Sequence, residues 1–300
     1  MNYISADVTP LPVIDLSRLD GPEHDQDQVK EALVKAAETV GFFYVVKHGL
    51  STQLLEEVKD AARQFFNQPA EKKLAYLKGV SPSSLVNYGT SFVPEKKKSF
   101  EWKDYCSMYY NDNDNDALKY WPDQCSEIVL KYMKMSTTMA RRIMEILMKN
   151  LGEKLDDSMA ETYMGVKVVN MNFYPTCPDP GLTVGVGRHS DFGTLTVLLQ
   201  DDIGGLSIRV QAEGDIGKED TKQWKIPKCR VRTTSTQSRV SIPVFLNPGP
   251  MVNIGPLPQV VEKDGKAEYK TCLFKDYKNQ FFAQTYHGKK ALEFLKITTP

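Results

Sequence analysis

Between residues 165 and 250 the chain changes character, and that change limits the folds open to it. Four runs, KVVNMNFY, TLTVLLQ, LSIRV and RVSIPVFL, are short, β-rich and separated by Gly, Pro and Asp. Runs of this length between turn residues read as antiparallel strands of a sandwich or barrel. About six plausible strands fit into the stretch, whereas a jelly roll wants about eight.

The first half reads mostly as helix. Residues 27–40 carry Val29, Leu33, Ala36, Ala37 and Val40 at helical spacing, and Gly41 ends the element. LPVIDLS at 11–17 reads as a short strand, and FFYVV at 42–46 as a buried one. Ser51 opens an amphipathic helix through Leu54, Leu55, Val58, Ala61 and Phe65. NDNDND at 111–116 reads as a polar loop. A long helix over 123–151 follows, striped by Ile128, Tyr132, Met135, Met139, Ile143 and Leu147, a Met-rich core face and not a cofactor box. Helices return near 272–296. The expected architecture is α+β, a β core wrapped by helices mostly from the N-terminal half.

Composition narrows the function classes. Thirty-eight basic residues balance thirty-eight acidic ones, so nothing draws the chain as a whole toward nucleic acid or an anionic membrane. Five scattered cysteines without a CxxC pair read as free thiols of a reducing compartment. With no membrane-length apolar run and no signal-peptide layout at the N-terminus, a cytoplasmic monomer is the expectation.

The chemistry-bearing residues lie in the β-rich half. His189 and Asp191, in GVGRHSDFG, are two apart, the spacing that lets alternate strand residues aim at one ion. Gly185, Gly187 and Gly193 flank them and leave backbone room. Arg239 and Ser241, also two apart, share one strand face; the planar guanidinium suits a carboxylate, and buried there it needs an anionic partner. Asn172 and Tyr174 share a face before the turn PTCP.

Taken in order, LPVIDLS, GFFYVVKHG, NFYPTCP, GVGRHSD, LLQDDIGGL and SRVSIPVF resemble the plant 2-oxoglutarate- and iron(II)-dependent dioxygenases over nearly the whole chain. SPSSLVNYGTSFVP, FEWKDY, NIGPLPQVV and HGKKALEF resemble the branch of feruloyl-CoA ortho-hydroxylases and scopoletin 8-hydroxylases. The resemblance implies a double-stranded β-helix, or jelly-roll, core over 161–262, preceded by a helical and strand region over 1–160 and followed by C-terminal helices over 263–300. It implies His189 and Asp191 as two ligands of a 2-His-1-carboxylate iron site. It implies Arg239 and Ser241 on the distal carboxylate of 2-oxoglutarate, assisted by Tyr174 and Asn172, with Phe245 against an aromatic substrate. The implied reaction hydroxylates a phenylpropanoid ring in coumarin biosynthesis, using iron(II), 2-oxoglutarate and oxygen, with ascorbate as reductant and a small aromatic molecule as the partner.

Two departures stand against that pattern. The resemblance puts a third iron ligand, a His, shortly before the arginine, where this chain has Cys229; no His lies between 190 and 286. Beside it, the run Trp224–Pro227 leads directly into the segment that should follow that ligand, an omission of roughly 20 residues at typical strand and turn lengths. Two strands of the core are therefore expected to be missing. Three explanations stay open: a splice or gene-model junction at Lys228–Cys229, degeneration to an iron-poor relative, or rescue of the metal site by Cys229 or His287.

Overall fold

The computed structural model describes residues 10–90, 101–209, 228–283, 292 and 294–297. Trp224–Pro227 and His287, singled out above, lie outside the described residues. The chain divides into two compact units, the described part of the first being residues 10–49.

In that first unit β1 (Val13–Asp15) pairs in parallel with β2 (Tyr44–Val46), and α1 (Glu23–Thr39) connects them. The stripe Val29, Leu33, Ala36 and Ala37 is the buried face of α1, as its spacing requires. LPVIDLS yields only three strand residues, because Asp15 caps a 3₁₀ turn over Leu16–Asp20, its side chain accepting from Ser17 N at 3.0 Å. FFYVV is not a buried strand: Tyr44 is 52% and Val46 39% exposed. A two-stranded pair has no second neighbour to cover both faces, so the apolar run overstates its burial.

The second unit opens with α2 (Thr52–Phe66), whose N-cap is Ser51, its Oγ accepting from Leu54 N at 3.2 Å. After α3 (Ala70–Leu74) come β3 (Val86–Thr90) and β4 (Asp104–Tyr110). NDNDND is ordered after all: Asn113 caps α4 (Asp114–Tyr120), and Tyr110 Oη donates to Asp114 at 2.6 Å. The acidic side chains in the first turn of α4 favour the positive helix end, so a polar run becomes a helix start. The long helix is α5 (Ser126–Asn150), followed by α6 (Asp157–Met164).

The remaining strands are β5 (Val166–Tyr174), β6 (Val186–His189), β7 (Leu195–Gln200), β8 (Leu206–Arg209), β9 (Lys228–Val231) and β10 (Arg239–Asn247). One antiparallel sheet has the order β3-β4-β5-β10-β7 and the other β6-β9-β8. Together they are the two sheets of a jelly roll, and among the described residues six strands, β5 to β10, form its core. β11 (Asn253–Ile254), α7 (Pro258–Asp264), β12 (Cys272–Leu273) and α8 (Phe274–Ala283) close the described chain. The described helices include none long and apolar enough to cross a membrane.

β10 explains how the two layers meet. Its side chains alternate between faces, with Val240, Ile242, Val244 and Leu246 all buried on one side and Arg239, Ser241, Pro243, Phe245 and Asn247 on the other. The aliphatic side belongs to the helices. Phe173 of β5 stacks on Phe66 of α2 at 5.4 Å, and Tyr132 of α5 donates its hydroxyl to Ile242 O at 2.9 Å. The opposite side faces the three-stranded sheet, since the Tyr174 ring lies against Gly185, beside which Val231 of β9 also packs. A Cβ on Gly185 would come within 2.8 Å of that ring, so only glycine fits there.

Replacing Tyr132 by Phe is expected to lower stability by about 1–3 kcal/mol, because the buried Ile242 carbonyl loses its donor. Urea unfolding of the two proteins reads this directly; equal midpoints would show that the carbonyl finds another partner.

Candidate functional site

Register places the candidate residues together on the inner face of the large sheet. Arg239 pairs with Tyr174, and Ser241 with both Asn172 and Gln200. The four residues expected around 2-oxoglutarate thus form two adjacent rows. Arg239 is 2% exposed, and its Cζ lies 5.0 Å from the centre of the Tyr174 ring. Burial pushes the Tyr174 phenol up, opposed by the Arg239 guanidinium beside it.

Gln200 Oε1 accepts from Arg239 Nη2 at 2.7 Å, while Arg239 Nε and Nη1 are buried without a partner. A desolvated guanidinium held by one neutral acceptor is costly unless an anion completes it. The end of the strand pair is pinned beside it, because the buried Asp201 carboxylate accepts from Val240 N at 2.6 Å. Two orphaned donors on a buried guanidinium suit an anion such as a carboxylate of 2-oxoglutarate.

His189 ends β6, and Asp191 lies past it in the turn toward β7, so the two are not alternate residues of one strand as expected. The turn still brings His189 Nε2 within 3.7 Å of Asp191 Oδ1. His189 Nδ1 lies 2.9 Å from Gly187 O; a proton on Nδ1 satisfies that carbonyl and leaves the Nε2 lone pair facing Asp191. Thr196 donates to Asp191 Oδ2 at 2.6 Å, fixing the carboxylate. Thr196 in turn pairs with Phe245, which puts that ring in the row beside Asp191.

Cys229 stands directly opposite His189 in the β6–β9 ladder. Its thiol is pushed up to about 12, by burial first and then by the Asp191 carboxylate. Among the described residues, no three His, Cys, Asp or Glu side chains are grouped to hold a metal ion. The facial iron site needs three donors; the donor set His189 and Asp191 is one short and does not fit it.

Several residues of this face escaped sequence reasoning. Gln200 is the end of an apolar run and acquires its role only through its register with Ser241. Glu101, 2% exposed, accepts from Gly187 N at 3.1 Å and lies 3.8 Å from Lys103 Nζ, stapling the entry of β4 to the strand that bears His189. FEWKDY carries both as one acidic and one basic residue of a polar motif, with nothing in the pattern to mark them as buried. Asn170 and Asn247 each present a buried Oδ1 without a partner.

Known proteins are similar to this chain in sequence and in fold. Residues 11–127 match the model of the non-haem dioxygenase N-terminal domain named for morphine synthesis, and residues 165–248 match that of the 2OG-Fe(II) oxygenase superfamily. Scopoletin 8-hydroxylase of Arabidopsis thaliana is 51% identical, covering 94% of this chain and 83% of its own. Feruloyl CoA ortho-hydroxylase 1 of the same plant is 41% identical, covering 96% and 83%. In solved structures, JOX2 in complex with 2OG, Fe and JA aligns at a TM-score of 0.80 and 28% identity, covering 96% of this chain and 89% of that one. The rice dioxygenase for auxin oxidation shares the fold at a TM-score of 0.77, with 22% identity over 96% of this chain and all of its own. With the Arg239 fork on a jelly-roll face and relatives of this identity along nearly its full length, the chain belongs to the 2-oxoglutarate- and iron(II)-dependent oxygenase family.

Proposed function

We propose that this chain binds 2-oxoglutarate at Arg239 and an aromatic phenylpropanoid beside Phe245, as a hydroxylase of coumarin biosynthesis acting on a feruloyl-CoA-like or scopoletin-like ring. The observation that carries the co-substrate is the buried Arg239 guanidinium with two nitrogens lacking partners. Ser241 and Tyr174 flank it, with Asn172 in the row of Ser241. The aromatic half rests on the place of Phe245 opposite Thr196, the residue that holds Asp191. The names of the relatives support the ring chemistry.

A second reading is favoured by Cys229. Hydroxylation in this family requires iron, and among the described residues His189 and Asp191 lack the third donor. On this reading the chain keeps its two small-molecule subsites without turning their ligands over. Length supports it too: the match to scopoletin 8-hydroxylase extends over 301 residues while covering 94% of this 300-residue chain, so that relative carries residues with no counterpart here. A lost strand pair from the core is consistent with both observations.

Anaerobic titration with iron(II) and 2-oxoglutarate separates the two readings. A charge-transfer absorption, with succinate formed once oxygen and a coumarin are admitted, supports the hydroxylase. Neither signal, with 2-oxoglutarate binding retained by calorimetry, supports the second reading.

Arg239→Met is expected to weaken 2-oxoglutarate binding by tenfold or more, roughly the worth of one charged hydrogen bond. Unchanged affinity in calorimetry would remove the co-substrate assignment. Cys229→His alone is expected not to establish turnover, because the neighbouring strands of the core are short as well. Near-normal succinate release from that single variant would show that the shortened core is tolerated.

A further inference from the structure

Among the described residues the Arg239 guanidinium has no carboxylate partner. Nη2 donates to the neutral amide oxygen of Gln200 at 2.7 Å, while Nε and Nη1 are buried without partners. The neighbouring buried acid, Asp201, is already committed: it accepts from Val240 N at 2.6 Å and from Ile203 N at 3.3 Å, and lies 3.9 Å from Arg63 Nη2. A buried cation in this state calls for an anion from outside the chain.

Reading a 2-oxo group takes different chemistry. A 2-oxo acid stands apart from a plain dicarboxylate by offering its keto oxygen and the adjoining carboxylate to one metal ion, which must itself be held by the protein. Here His189 Nε2 and Asp191 Oδ1 face each other at 3.7 Å, and the residue across the ladder from His189 is Cys229. Asp191 Oδ2 is engaged by Thr196, and His189 Nδ1 by Gly187 O. Two donors are one short of the facial set, and among the described residues no group of three replaces it. What remains for a keto oxygen is an ordinary hydrogen bond, worth roughly threefold in affinity, against tenfold or more for a charged contact at Arg239. Following the second reading above, and resting on the carboxylate site at Arg239, we infer that this site accepts glutarate as readily as 2-oxoglutarate, holding one carboxylate on Arg239 with no need of a metal. Glutarate is 2-oxoglutarate without its keto oxygen. The guanidinium reads charge and carboxylate geometry, which the two molecules share.

The probes are 2-oxoglutarate and glutarate, each titrated calorimetrically into the full chain, once in EDTA and once with the redox-inert manganese(II). All four affinities are expected to agree within about threefold. A larger preference for 2-oxoglutarate, or one that manganese(II) creates, overturns the inference and leaves the carboxylate site at Arg239 standing. Arg239→Met is expected to weaken both ligands alike, by about tenfold or more. Unchanged affinity of either ligand in the folded variant shows that it binds elsewhere and overturns the inference. The comparison in the unaltered chain needs no variant, so the inference stays open to refutation even where Arg239→Met does not fold. Binding of neither dicarboxylate to the unaltered chain overturns the carboxylate site itself, and the inference with it.

Discussion

The strand from Arg239 to Asn247 is buried on both faces, and the rest of the second unit is arranged around that constraint. An exposed strand has a wet side on which polar residues are free of cost. Here every inward polar side chain must find a partner or wait for one. The aliphatic side has its partners in the helices, which bring Phe66 and Tyr132 onto the sheet. The inward side is only partly served: Gln200 satisfies one nitrogen of Arg239, and Asp201 the Val240 amide. The atoms left over, Arg239 Nε and Nη1 and the Oδ1 atoms of Asn170 and Asn247, are buried without partners.

Much of this was legible from period alone. The alternation in RVSIPVFL separates Val240, Ile242 and Val244 from Arg239, Ser241 and Phe245, and the two-residue spacing of Asn172 and Tyr174 puts them on one face. Which strand lies beside which is not contained in either pattern. The row Asn172–Ser241–Gln200 joins residues far apart in the chain, and the partnership of Arg239 with Gln200 follows from it. Local patterns failed where context reversed them. NDNDND caps and starts a helix because its carboxylates meet a positive helix end, and FFYVV is apolar yet half-exposed because its sheet has two strands. Glu101 is polar in sequence and buried in space, held by the backbone of Gly187.

On the side of His189 and Asp191, both side chains are held by their neighbours. Thr196 still orients Asp191, and Gly187 still orients His189. Across the ladder from His189 stands Cys229, whose thiol is pushed up by burial and by the nearby Asp191 carboxylate. The hydrogen bond from Arg239 to Gln200 depends on none of these three residues.

The hydrogen bond from Tyr132 to Ile242 closes a loop of 110 residues. Phe66 against Phe173 closes another of similar reach. These contacts tie helices made early in the chain to strands made late, so the inner face cannot take shape until the C-terminal part of the core has been synthesised and docked. Long-range closure of this kind carries its entropic cost before its reward. The helices and the sandwich of this unit are therefore tied by contacts of long sequence separation, so that fraying of α5 would also take away the donor on which the Ile242 carbonyl relies.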